Sequence, residues 1–154
     1  MMYKTVSISD WHLMALEGTA PPMHIMLNGC SMEPLIRLNR DYVTIVPPGA
    51  NLVVGDIVLF SDIRAGRYVV HRIWKMNEEE VLTWGDNCLE PDGWCPMDAI
   101  WGKVILIERG KRIIHPDPRK GLRWASFWHK VRPGYDFCWR TKNSIVHRII
   151  KLKE

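Results

Sequence analysis

The sequence predicts an all-β protein, mainly antiparallel, with a short N-terminal helix and a basic, partly helical C-terminal extension. Two observations predict the β body. Short apolar, β-branched runs follow one another from Met23 to Ile114, and Gly or Pro punctuates the intervals between them. Such a pattern fits antiparallel sheets better than a parallel α/β sheet, whose strands alternate with helices. A third observation predicts the extension: beyond His115-Pro116-Asp117-Pro118 the texture changes, and Trp124, Phe127 and Trp128 fall at helical spacing among Lys120, Arg123 and Lys130.

Residues 9–17 read as a helix capped by Ser9 or Asp10 and stopped by Gly18. Thr19-Ala20-Pro21-Pro22 then breaks the chain before a strand over Met23–Leu27 that delivers the turn Gly29–Pro34. Strands are expected over Tyr42–Val46, Asp56–Phe60, Arg67–Met76 and Val81–Trp84, the last two forming a hairpin about Asn77–Glu80. Ala99–Glu108 and Lys111–Ile114 flank Arg109-Gly110, a second hairpin signal. Ile145–Lys153 is a further short basic-apolar stretch. The organisation is therefore a lead-in over 1–22, a β domain over 23–115 and a basic, Trp-rich extension over 116–154.

With 154 residues the chain suits one domain with a real core. No apolar run approaches the ~20 residues that span a bilayer, and no secretory leader is expected at the N-terminus. Cys30, Cys88, Cys95 and Cys138 form no disulfide-scaffold or zinc-knuckle spacing, so a reduced cytoplasmic setting without a bound metal is expected. The net charge of +4 is unevenly spread. Residues 1–108 hold 8 Lys/Arg against 14 Asp/Glu, whereas 109–154 hold 13 against 3. The basic segment either has its own task or neutralises the acidic body.

Three short segments carry the candidate chemistry. Gly29-Cys30-Ser31-Met32-Glu33-Pro34 offers a nucleophile, Val69-Val70-His71-Arg72-Ile73 a base, and Gly85-Asp86-Asn87, with Asp92 nearby, an acid to orient that base. A serine hydroxyl becomes nucleophilic only when a base accepts its proton. A histidine, with an ordinary pKa near 6.5, suits that task near neutral pH. Each residue also has an ordinary reading: a turn serine, a strand histidine satisfied by a neighbour, a turn aspartate.

Taken jointly, five segments resemble the successive sequence boxes of the signal (leader) peptidase I family: Gly29–Leu35, Gly55-Asp56-Ile57-Val58, Val69–Ile73, Gly85-Asp86-Asn87 with Asp92, and Gly102-Lys103-Val104. The resemblance spans about residues 23–108. It implies a signal-peptidase-like β fold, a Ser31 nucleophile and, because His stands where most bacterial members have Lys, a Ser-His type with His71 as base. It also implies assistance from Asp86 or Asp92, of which Asp86 is the expected orienter, and no cofactor. The family's usual transmembrane anchor is not expected here, and Gly29 stands where many members carry an oxyanion-hole serine. The hole would then use the Ser31 backbone N–H and another donor, with Asn28 as candidate.

The function expected is a serine endopeptidase trimming a leader or pro-segment from a precursor peptide. A self-cleaving repressor-type protease ranks lower, since residues 1–22 are too short for a DNA-binding domain and position 71 is His. The alternative from another class is an inactive β domain that binds an acidic partner or an anionic membrane surface through its tail. For residues 119–153 three uses are open: a structural cover, a peripheral membrane contact through Trp124, Phe127 and Trp128 with Arg123 and Lys130, or nucleic-acid binding, which the acidic body disfavours.

Overall fold

The computed structural model describes residues 6–49, 51–62 and 66–132. Within them, helix α1 (Ile8–Leu16) precedes strands β1 (Met23–Met26), β2 (Tyr42–Val46), β3 (Ile57–Asp62), β4 (Arg67–Met76), β5 (Glu80–Trp84), β6 (Gly93–Pro96), β7 (Ile100–Arg109) and β8 (Arg112–Ile114). Helix α2 covers 118–132. Every strand pairing is antiparallel, in the order β1-β2-β7-β3-β4-β5-β6, with β8 alongside β7. The all-β class is as expected. Among the described residues no helix is long and apolar enough to cross a membrane.

Three details differ from the sequence reading. The cap of α1 is Ser7, whose hydroxyl accepts from the Asp10 N–H (3.0 Å) and donates to the Asp10 carboxylate (2.8 Å). That reciprocal pairing satisfies an otherwise orphaned N-terminal donor, which neither Ser9 nor Asp10 does as cap. Strand β6 was not expected. Gly93–Pro96 has little strand propensity, and it is held as an edge by its pairing to β5 through Val81↔Cys95 and Leu82↔Trp94. Strand β3 runs two residues beyond Phe60, matched by Ser61↔Tyr68 and Asp62↔Arg67. The stretch Ile145–Lys153 lies outside the described residues.

Strand β3 explains how the sheet is sandwiched. Ile57 and Leu59 point into a core shared with Trp11 of α1, Met32, Ile36, Val43 and Ile45. Val58 and Phe60 point the other way, joining Ile73, Val81 and Ile100. Both faces of this strand are buried, so its sequence reads as a continuous apolar run rather than an alternating one.

Helix α2 lies against the β4–β5 region, where its Ala125 is fully buried. Its His129 ring packs on Trp84 (centroids 4.1 Å apart) and Trp74 (5.2 Å). Two glycines permit the approach. A Cβ on Gly55 would lie 2.2 Å from the Pro118 carbonyl oxygen, and one on Gly121 would lie 2.4 Å from the Arg72 guanidinium. This half of the basic extension is thus a packed part of the body.

Candidate active site

Ser31 sits on the loop between β1 and β2, and both ends of that loop are tied down. Met32 and Ile36 are buried in the core just beyond the serine. Farther on, Asp41 is fully buried and accepts from the Arg109 guanidinium (2.6–3.1 Å) and the Arg37 N–H (3.0 Å). Burial alone would raise the Asp41 pKa. The Arg109 and Arg37 contacts outweigh it and hold the carboxyl below its ordinary value.

The Gly-Asp-Asn segment does three different things. Asn87 holds the Ser31 loop, its backbone N–H donating to the Ser31 carbonyl (2.7 Å) and its side-chain amide to the Cys30 carbonyl (3.0 Å). Gly85 lets that loop approach His71. A Cβ at position 85 would lie 2.8 Å from the Ser31 carbonyl oxygen, 2.8 Å from His71 Nε2 and 2.6 Å from Cys88 Sγ. Asp86, fully buried, forms a two-pronged ion pair with Arg72, Nε to Oδ1 at 2.8 Å and the terminal nitrogen to Oδ2 at 2.6 Å. Arg72 completes its contacts on the Gly55 carbonyl at 2.8 Å.

The expectation that Asp86 orients His71 therefore does not match the geometry. His71 and Arg72 are neighbours on β4 and point to opposite faces, and Asp86 is spent on Arg72. Asp92 meets the histidine instead, with His71 Nδ1 and Asp92 Oδ2 2.6 Å apart. Thr83 fixes that carboxylate. Its hydroxyl donates to Asp92 Oδ2 (2.9 Å), and its carbonyl accepts from the Asp92 N–H (3.0 Å).

Ser31 Oγ makes no hydrogen bond to a described residue, and the Ser31 backbone N–H has no acceptor among them. Asn28 is exposed, with no hydrogen bond from its side chain to a described residue. A Cβ at Gly29 would meet nothing within 4 Å, so that position opens on free space. No group of three or more potential metal ligands occurs among the described residues. A cleft of about 160 Å³ is lined by Asp92 together with Phe60, Asp62, Gly93, Trp94 and Cys95, among others.

The imidazole is 3 % exposed. Burial works against its charged form, but the hydrogen bond and charge of Asp92, joined by Cys88, prevail and raise the His71 pKa to about 9. Two pH effects of opposite sign follow. The stability contributed by this pairing is full below the ordinary 6.5 and is lost as pH rises through about 9. Any reaction that needs the neutral imidazole gains rate over the same interval. Denaturant unfolding and a rate profile from neutral to alkaline pH check both, and Asp92→Asn should move both transitions to lower pH.

Comparison with protein-family models, curated proteins and solved structures finds no match. The sequence segments nevertheless meet in space. Lys103 pairs with the buried Asp56 (2.8 Å), and Val58 lies opposite both Lys103 and His71. Reasoning from sequence missed Arg72, Thr83, Asn87 and Cys88. Arg72 did carry a signal, because a charge inside an apolar strand beside Trp74 needs a buried counter-charge. Thr83 carried none, since its role depends on the loop that returns Asp92 to β5.

Proposed function

We propose that this protein is a serine endopeptidase of signal-peptidase type that removes a leader or pro-segment from a precursor peptide. Ser31 Oγ attacks the scissile carbonyl carbon, and His71 Nε2 takes the hydroxyl proton and returns it to the leaving amine. Asp92 holds the imidazole tautomer and stabilises its charged form. Water then releases the acyl group by the same relay. The observation that carries the reading is the convergence of the Ser31 loop and His71 Nε2 on Gly85 while Nδ1 is held by Asp92. Catalytic hydrogen bonds are often long before substrate binds, so the free Ser31 hydroxyl is compatible with it.

The test is cleavage of extended peptides carrying small residues before the scissile bond, followed by mass spectrometry. Products at one type of bond, with a rate that climbs towards pH about 9, are expected. Intact peptides throughout that range would overturn the proposal.

A second reading concerns α2, and one observation favours it. Trp124, Phe127 and Val131 are 44 %, 53 % and 39 % exposed on one stripe of the helix, flanked by the exposed Lys120, Arg123 and Lys130. Apolar rings between cations suit an anionic membrane surface. Sedimentation with vesicles of mixed zwitterionic and anionic lipid at low salt should carry the protein down. Salt, or Trp124→Ala with Phe127→Ala, should release it. Removing the whole helix is the poorer test, because Ala125 and His129 pack on the body. Protein that stays in the supernatant at low salt would end this reading.

A further inference from the structure

Cys88 lies where the turn after β5 folds back on itself. Its N–H donates to the Gly85 carbonyl (3.0 Å), and its carbonyl accepts from Trp84 Nε1 (3.1 Å). These contacts place its Sγ 3.9 Å from His71 Nε2, within hydrogen-bond reach for sulfur. The nitrogen that faces the Ser31 loop thus faces a thiol as well. Around the ring stand Asp92 at Nδ1, Cys88 at Nε2, the Ser31 carbonyl near Gly85, and the uncharged Phe60 ring 6.1 Å away.

We propose that Cys88 is a second nucleophile of this site, forming with His71 and Asp92 a thiol–imidazole–carboxylate relay that reacts with soft carbon electrophiles. In that step the thiol proton passes to His71 Nε2, an S–C bond forms, and the leaving group departs with its electron pair. No oxidant or reductant is needed. The neutral imidazole is the acceptor in this step, and the thiolate it leaves is the form that attacks carbon. The inference rests on His71, Asp92 and Cys88 and not on the Ser31 reading. It does add a consequence to that reading: an adduct on Cys88 would sit against Nε2 and deny it to Ser31.

The other two cysteines among the described residues are internal controls. Cys30 is exposed. Cys95 lines the same cleft as Asp92, where burial and then the Asp92, Glu80 and Asp62 carboxylates push its thiol up to about 11, an unreactive setting. The experiment is limited labelling of the native full chain with iodoacetamide at pH about 9, where neutral His71 is present, with each cysteine quantified by peptide mass spectrometry. Cys88 should react roughly tenfold faster than Cys30, and Cys95 slowest. His71→Ala or, should that variant not fold, Asp92→Asn should slow Cys88 by a similar factor and leave Cys30 unchanged. Ser31→Ala should leave Cys88 labelling as it is, which separates failure of this inference from failure of the peptidase reading. Cys88 labelling no faster than that of Cys30, or fast labelling indifferent to both His71→Ala and Asp92→Asn, would overturn the proposal.

Discussion

Replacing Ser31 with alanine is expected to slow peptide cleavage by a factor on the order of 10⁴ to 10⁶ while leaving the fold intact. The substitution removes the proposed attacking atom and little else. Ser31 Oγ has no hydrogen bond among the described residues, and the loop is anchored by Met32, Ile36 and Asn87. His71→Ala should cost nearly as much, and the double variant little more than either single one, because in the proposed mechanism nucleophile and base act as one unit. The measurement is product formation under single-turnover conditions for all three variants, with far-UV circular dichroism to confirm the fold. Additive losses would mean that the two residues do not share a step.

The second large effect divides the two aspartates. Asp86→Ala leaves the Arg72 guanidinium fully buried with the Gly55 carbonyl as its remaining partner. Stripping one member from such a pair costs about 3–5 kcal/mol. For a domain of this size that is a fall in Tm of roughly 10 °C. Asp92→Asn should instead leave most of the stability in place and slow cleavage by roughly 10³ to 10⁴, since it removes the group that sets the imidazole tautomer. Thermal unfolding and cleavage rates measured side by side decide. A stable Asp86→Ala variant that has lost activity, together with a fully active Asp92→Asn variant, would return the orienting role to Asp86.

Much of this arrangement was legible in the sequence, for reasons that particular residues make plain. Strands such as Arg67–Met76 declare themselves through β-branched and aromatic content, and Gly110, at φ +59°, marks its hairpin turn. The resemblance of the Ser31, His71 and Gly85–Asn87 segments to one family's boxes grouped residues that the fold does bring together. The division of labour inside a segment was not legible. Asp86 and Asp92 are six residues apart and chemically identical. Only the partner of each separates them: Arg72 across the buried face for one, His71 and Thr83 for the other. The edge strand β6 was hidden because its pairing with β5, not its own propensity, makes it a strand. The extension read as a separate basic element, but its inner face depends on Gly55 and Gly121 being small enough for α2 to close over Arg72.

The central claim is that the residues gathered around Gly85 make Ser31 a nucleophile. The most direct measurement is the mass-spectrometric mapping of the adduct formed by a fluorophosphonate, which phosphonylates activated serines and needs no knowledge of the natural substrate. The account predicts a single phosphonyl group on Ser31, formed faster as pH rises towards about 9, and lost in His71→Ala. An unmodified Ser31 at alkaline pH, or labelling that persists without His71, would contradict it.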